Sequence, residues 1–266
     1  MLQGVDPYWL ASLRAGAELA PLRPRIPLRA GDAVIGSVEP EVLEHILPLR
    51  GAGGAAVLTL ADGGTAWEIH GEPTSSLALV AAALRDAGLA HVWRDEQLAV
   101  PDAQGRRVAT VERAVVRVLG VTTHAVHLVG LSPDHRVWVQ QRALDKAHDP
   151  GLWDTLMGGM VSAADSVETA LVRETWEEAG LVTSGLLHVA RGGRVTTRRP
   201  SNDGGGAGYV IEHIDWYRAV VPDGMAPVNQ DGEVQQFELL DRAALLERLH
   251  GNAFTQEAAL ILCEAL

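Results

Sequence analysis

The chain has 266 residues, of which 47% are hydrophobic and 21% are charged, and its formal net charge is −12 at pH 7. This length suits one large domain or two of ordinary size, and the acidic excess argues against non-specific binding to nucleic acid. The single cysteine, Cys263, excludes an internal disulfide and argues against a cysteine-based zinc site. The N-terminal stretch has no basic segment followed by a long apolar run, and no run of about 18 apolar residues occurs, so we expect neither a signal peptide nor a membrane span. We therefore expect a cytoplasmic protein.

Residues 1–112 are predicted to form a smaller α+β domain that carries no catalytic cluster. Helices are predicted at 8–19, 40–47 and 77–87. Strands are predicted on both sides of a turn within 26–38, and at 55–60, 65–69, 97–100 and 108–111. The Asp-Gly-Gly sequence at 62–64 is typical of a hairpin turn.

Residues 113–266 are predicted to form a second domain, and a helix is predicted at its start, at 112–118. Strands are predicted at 121–131, 136–142, 186–193, 209–221 and 233–239, and helices at 163–178, 241–249 and 254–266. A loop is predicted at 143–157, and a second loop at 193–207, because that stretch is polar and rich in glycine.

The helix at 163–178 carries three glutamates that point to chemistry. Glu174, Glu177 and Glu178 stand at i, i+3 and i+4, so their carboxylates share one face, and Gly180 is placed to end the helix. Like charges at this spacing repel one another, and a divalent cation such as Mg²⁺ or Mn²⁺ would remove the repulsion. A solvated acidic face is the simpler alternative. Val172, Trp176 and Ala179 lie on the opposite side of the helical wheel and are predicted to pack on a sheet.

The surrounding residues resemble the signature of the Nudix hydrolases. The pattern consists of Gly159, then Asp165, then Arg173 and the three glutamates, and it closes at Gly180 and Leu181. Two positions depart from it: Asp165 replaces the usual glutamate, and Thr175 replaces an aliphatic residue. Neither change removes a metal-ligand candidate.

Further residues resemble the Nudix subfamily related to the module fused to fungal thiamin pyrophosphokinase, together with its accessory N-terminal domain. They are 93–96, 111–114, 119–128, Arg142, Lys146, 150–154, Gly158, Gly159, 229–234, Phe237 and 254–260. This resemblance implies an α/β/α sandwich on a mixed sheet, preceded by the smaller α+β domain.

The resemblance also implies roles for individual residues. Glu174, Glu177 and Glu178 would hold the metal ions, and one of them or Glu233 would accept a proton from water. Arg173 would fix the carboxylates through Asp165 or Glu174. The backbone of Gly158 and Gly159 would approach the phosphates, since neither residue has a Cβ.

Several other side chains allow more than one interpretation. Arg142 and Lys146 would contact diphosphate oxygens or form a solvated pair. Trp153 would stack on a heteroaromatic ring or pack on the sheet. His124 and His127 fit core or edge positions better than ligand positions. The arginines at 191, 194, 198 and 199 fit a flexible loop.

The resemblance implies metal-assisted hydrolysis of a small diphosphate to a monophosphate and phosphate. Thiamin diphosphate or a damaged analogue is the favoured substrate, and an oxidised nucleoside diphosphate such as 8-oxo-dGDP is the next candidate. A binding module without turnover is an alternative of another class. Isopentenyl-diphosphate isomerase is another, but that family needs a reactive cysteine after the Pro-Gly-Trp segment, and 155–159 has none. A small-molecule substrate and a homodimer are the expected partners, with no nucleic acid and no membrane.

Overall fold

The computed structural model describes residues 4–90 and 92–266, so residues 1–3 of the N-terminal stretch discussed above lie outside it. The first elements are α1 (Pro7–Gly16), β1 (Ile26–Ala30), β2 (Ala33–Val38), α2 (Pro40–Glu44), β3 (Leu58–Ala61), β4 (Ala66–Ile69), α3 (Pro73–Asp86), β5 (Gln97–Pro101) and β6 (Arg107–Glu112). Strands β1 to β4 form a sheet in the order β2-β1-β4-β3, and β5 pairs with β6. Most of these elements share one hydrophobic core.

The remaining elements build the larger sheet and its helices. They are β7 (Thr122–Leu131), β8 (Val137–Arg142), β9 (Trp153–Asp154), β10 (Met157–Met160), α4 (Val167–Ala179), β11 (Leu187–Ser201), the one-turn α5 (Asp203–Gly206), β12 (Gly208–Val220), β13 (Val234–Leu240), α6 (Arg242–His250) and α7 (Gln256–Ala265). The main strand order is β11-β12-β7-β8-β13. Strand β10 also pairs with β7, and β9 pairs with β8.

The larger sheet is mixed, and helices cover both of its faces. Strand β12 runs parallel to β7, whereas the other pairs are antiparallel. Helix α4 packs on one face through Ala170, Leu171 and Ala179, against Val126 and Leu128 of β7. Helices α6 and α7 pack on the other face, where α1 joins them. The predicted α+β fold with an α/β/α sandwich is confirmed.

Strand β7 separates from β8 after a short contact. The two strands pair only at Gly130–Trp138 and Leu131–Val137, and β10 and β9 occupy the space between their diverging ends. The sheet therefore has a gap between β8 and β10, which matters for the site described below.

The predicted loop at 193–207 is wrong. Strand β11 continues to Ser201 and pairs with β12 along its length. The alternation of buried Val195 and Thr197 with more exposed neighbours marks a strand, and the glycines that suggested a loop form only the turn α5. The four arginines are therefore ordered, and each pairs with a carboxylate: Asp215 for 191 and 194, Glu18 for 198, and Glu257 for 199.

Several other boundaries also differ from the predictions. The helix expected at 112–118 is only a 3-10 turn at Arg113–Val115. Helix α4 begins at Val167 because Ser166 caps it and forms a capping box with Thr169. The loop predicted at 143–157 includes β9 and the start of β10. Within the described part of the chain, no helix is long and apolar enough to cross a membrane.

Candidate active site

The face of helix α4 that packs on the sheet is not the face that the helical wheel predicted. Trp176 and Val172 are 51% and 52% exposed, whereas Thr175 is 0% and Glu178 is 2% exposed. The prediction that Val172 and Trp176 pack on the sheet is therefore wrong, although Ala179 does so. The helix turns Glu178 inward toward the gap in the sheet, and the buried hydroxyl of Thr175 donates to the backbone carbonyl of Leu171 (2.6 Å). The helix ends at Gly180, whose φ of +62° suits glycine.

The carboxylate of Glu178 lies in the gap between β8 and β10. Its Oε2 accepts hydrogen bonds from the side-chain amide of Gln140 (2.8 Å) and from the backbone N–H of Gly158 (3.0 Å). Its Oε1 lies 3.8 Å from Nζ of Lys146. Burial raises the pKa of Glu178 to about 8, against the opposing effects of Lys146 and these hydrogen bonds.

Glu174 occupies the space that a side chain at Gly159 would fill. A Cβ on Gly159 would lie 2.1 Å from Cδ of Glu174, so this contact requires glycine. Burial raises the pKa of Glu174 to about 7, although Arg173 opposes the shift. Glu177 is the most exposed of the three glutamates, with 43% of its side chain accessible.

Arg173 connects the helix to the turn that precedes it. Its guanidinium donates to Asp165 Oδ2 (2.8 and 3.0 Å), to Glu174 Oε1 (2.9 Å) and to Glu177 Oε2 (2.9 Å). Burial opposes the charge on Arg173, but these carboxylates outweigh it and raise its pKa. Asp165 has a shorter side chain than the glutamate usual in the signature, but it still contacts Arg173. Arg173 in turn holds Glu174 and Glu177, two of the candidate metal ligands.

Two further cations lie at the end of β8 and in the segment that follows it. Lys146 forms a close ion pair with Glu233, which lies just before β13. This pair lowers the pKa of the Glu233 carboxyl against the effect of burial. Arg142 donates to the backbone carbonyl of His148 (3.1 Å) and lies 3.5 Å from Asp154. Both cations therefore line the same cavity as the glutamates.

Trp153 lies in the hydrophobic core instead. Its ring is buried with the residues of α6 and α7, and the guanidinium of Arg248 sits 4.3 Å above its centre. The cavity lining among the described residues does not include it. Of its two readings, the structure supports packing and not ring stacking with a ligand.

Most of the predicted residues thus meet at one cavity of about 310 Å³. Arg142, Lys146, Gly158, Gly159, Arg173, Glu233 and the three glutamates line it, whereas Asp165 and Gly180 support α4 from outside. The combination of glutamates with nearby cations and a glycine-lined wall is the arrangement that the signature implied.

Residues 121–259 match the family description "NUDIX domain". The chain belongs to the Nudix family. The match includes β7 to β13, α4, α6 and the start of α7, and therefore covers the whole glutamate cluster and both of the cations that face it.

Two named relatives are similar to parts of the chain. Nudix hydrolase 20 of Arabidopsis thaliana is 27% identical over 187 residues, which is 68% of this chain and 48% of that protein. An isopentenyl-diphosphate Delta-isomerase of Rhodobacter capsulatus is 30% identical over 131 residues, 48% of this chain and 70% of that protein. The chain spans about half the length of the first curated relatives it matches, a yeast protein and this plant hydrolase (54% and 48%).

A solved structure supports the fold. The Deinococcus radiodurans protein DR0079 aligns with a TM-score of 0.50 at 17% identity, over 64% of this chain and all of that chain. At this identity the likeness concerns the Nudix fold alone.

The charges of this Nudix cavity fit divalent cations. Ten carboxylates and six Lys or Arg side chains line it, so a diphosphate would meet an excess of negative charge unless metal ions were bound. The buried Glu174 and Glu178 have the hard oxygen atoms that Mg²⁺ and Mn²⁺ prefer. Among the described residues no three acidic or histidine side chains form a preformed metal site. Arg173 and Lys146 lie among the glutamates instead, so the carboxylates must turn from these cations to bind a metal.

Sequence reasoning gave several residues of the site no role. Gln140 was treated only as part of a strand, and Asp154, Glu212 and Glu257 were assigned no function, yet Gln140 holds Glu178 and the other three line the cavity. His127, which was expected at a core or edge position, is buried and also reaches the cavity. The pairing of β12 with β7 gives a weak indication that Glu212 lies near His127. Glu212 stands opposite Thr123, and alternation along β7 puts Thr123 and His127 on the same side of the sheet.

Proposed function

We propose that this Nudix protein is a metal-dependent hydrolase that cleaves a small diphosphate compound to a monophosphate and phosphate. The observation that carries the proposal is the position of Glu178. A buried carboxylate reaches the gap in the sheet with one oxygen held by Gln140 and Gly158 and the other directed toward Lys146 and the cavity.

Residues of this chain would supply the binding and the proton transfer. Glu174, Glu177 and Glu178 would hold Mg²⁺ or Mn²⁺, which when bound would neutralise the phosphates and acidify water. Arg142 and Lys146 would contact phosphate oxygens, and Gly158 and Gly159 would let the phosphates approach the backbone.

A carboxylate would take one proton from water as the water oxygen bonds to phosphorus and the bridging P–O bond breaks. Glu233 is the loop candidate for this base. Its pairing with Lys146 lowers its pKa and makes it a weak acceptor until the pair opens. The glutamates of α4 are the other candidates.

The proposed substrate is thiamin diphosphate or a damaged analogue such as its oxo form, on the strength of the subfamily resemblance. An 8-oxo-dGDP type of nucleoside diphosphate is second. Residues 1–112 would act as an accessory domain beside the hydrolase domain at 113–266. Cytoplasmic location and a homodimer stay predictions.

Isopentenyl-diphosphate isomerisation is the competing activity, because a relative of that name is 30% identical to this chain over 131 residues. The thiol that such chemistry needs is missing from the cavity. Cys263 is the single cysteine of the chain and is buried in α7, and burial raises its pKa to about 11. We therefore favour hydrolysis.

The test is release of phosphate and monophosphate, with and without Mg²⁺ or Mn²⁺, from thiamin diphosphate, oxothiamin diphosphate, 8-oxo-dGDP and isopentenyl diphosphate. Glu178→Gln should lower the rate about a hundred- to a thousandfold, because the variant keeps the shape but loses the charge. Glu247→Gln, a surface change on α6, should leave it unchanged. Absence of release from every compound would contradict the proposal, and isomerisation without release would favour the isomerase. Ligand binding in the wild type, unchanged in Glu178→Gln and without turnover, would favour a binding module.

A further inference from the structure

The cavity continues from the glutamates of α4 to the opposite face of the sheet. There its wall includes Glu212 of β12, Glu257 of α7, His127 of β7 and Arg199 of β11. Ala125, which also lines it, packs in the same core cluster as α7. This second end has no role in the signature chemistry, and none of its side chains belongs to the glutamate cluster.

One carboxylate at this end is hydrogen-bonded to a hydroxyl and is not ion-paired with a described cation. Glu257 is paired with Arg199 at 3.0 Å. Glu212 accepts a hydrogen bond from the hydroxyl of Thr123 (3.2 Å), and it has no ion pair among the residues described. Burial and the nearby Glu257 raise the pKa of Glu212, against the weaker effects of Arg117 and His127. A carboxylate has room for about four hydrogen bonds, so Glu212 can accept more from a ligand.

The two ends of the cavity therefore favour opposite parts of a ligand. The α4 end offers candidate metal ligands together with Lys146 and Arg142, which suit phosphates. Glu212 would repel a phosphate, and an alkyl group against it would leave a carboxylate desolvated and without a partner. A group with N–H donors or a positive charge satisfies it.

We propose that Glu212 determines substrate specificity by accepting a hydrogen bond from an amino group, or by facing a cationic ring, on the non-phosphate part of the substrate. The substrate class is then an amino-substituted nitrogen heterocycle joined to the diphosphate. The inference rests on the proposed function for the orientation of the ligand. The cavity volume of about 310 Å³ lies at the small end of ligand pockets and suits one such molecule.

Calorimetric binding of three monophosphates tests this without requiring turnover. Thiamin monophosphate has an amino group and a cationic ring, AMP has the amino group alone, and isopentenyl phosphate has neither. The proteins are the wild type, Glu212→Gln, Glu212→Asp and the surface control Glu247→Gln. Glu212→Asp keeps the charge, so it separates loss of the carboxylate from a disturbance of the strand.

We expect the wild type to bind thiamin monophosphate at least about tenfold more tightly than isopentenyl phosphate, the size of effect that one charge-assisted hydrogen bond gives. Glu212→Gln should remove most of that difference by weakening the binding of thiamin monophosphate, and it should not weaken the binding of isopentenyl phosphate. Glu212→Asp should retain part of it, and AMP should fall between the other two compounds.

Two results would overturn the inference. Equal weakening of all three compounds in Glu212→Gln would mean that Glu212 supports the cavity as a whole. A reduced affinity for Mg²⁺ alone in that variant would mean that Glu212 binds a cation. Neither result contradicts the proposed hydrolase activity, because that activity is tested separately by the release assay with the wild type and Glu178→Gln.

Discussion

The side-chain amide of Gln140 donates a 2.8 Å hydrogen bond to Oε2 of Glu178, and Gln140 is itself only 1% exposed. This hydrogen bond connects the middle of β8 to helix α4 across the gap in the sheet. Together with the N–H of Gly158 it occupies one carboxylate oxygen and leaves the other toward the cavity. The orientation of the candidate metal ligand is therefore set by a strand that the signature does not include.

Replacing Gln140 with leucine should weaken Mg²⁺ binding about tenfold, because outer partners of metal ligands typically contribute that much. The measurement is Mg²⁺ affinity by calorimetry. Gln236→Leu is the matched control, since Gln236 is exposed on neighbouring β13 and bonds only to Gln141 among the described contacts. Equal Mg²⁺ affinity in Gln140→Leu and the wild type would show that Gln140 does not position Glu178.

Mg²⁺ should stabilise the protein more at pH 8.5 than at pH 5.5. The folded pKa values of Glu174 and Glu178, about 7 and about 8, lie above the ordinary value of 4.5. Protonation is thus favoured in the folded state. The stability that the neutral groups contribute is complete below about pH 4.5 and is lost as the pH rises through 7 to 8. Mg²⁺ binds the ionised carboxylates and offsets that loss.

The measurement for this prediction is the rise in Tm on adding Mg²⁺ at the two pH values. The double variant Glu174→Gln/Glu178→Gln should show almost no rise at either pH. A wild-type rise that is equal at both pH values would contradict the assignment of these two carboxylates as the ligands.

Gly159→Ala should lower Mg²⁺ affinity about tenfold with little change in the free energy of unfolding. The added methyl group would lie 2.1 Å from Cδ of Glu174, and the end of that side chain can move aside, so the fold survives while the ligand is displaced. Gly185→Ala, whose Cβ would meet only the end of Met225 at 3.2 Å, serves as the control. An unchanged Mg²⁺ affinity would rule out Glu174 as a ligand.

Trp176→Gln should change the free energy of unfolding by no more than about 0.5 kcal/mol, as is usual for surface positions. Leu171→Ala, on the buried side of the same helix, should cost about 2–5 kcal/mol. Urea denaturation measures both values. A larger loss from Trp176→Gln than from Leu171→Ala would restore the helical-wheel prediction that the structure overturns.

Much of the architecture follows from local patterns. Strands β7, β8 and β12 have the alternation or apolar runs that sheets need, and α6 closely matches the helix predicted at 241–249, with Asp241 as its cap. The loop assigned to 193–207 failed because three consecutive glycines outweighed the β-branched residues before them. Only the pairing of β11 with β12 makes that stretch a strand.

The sequence by itself determined the family, the helix and the three glutamates, because they stand close together in the chain and helical geometry alone places them on one side. Only the tertiary structure decided what surrounds them. The side of α4 that turns inward depends on where β7 and β8 separate, and Gln140, Glu212 and Glu257 come from three distant elements. Burial in that gap also raises the pKa values of Glu174 and Glu178, since desolvation depends on packing and not on sequence spacing.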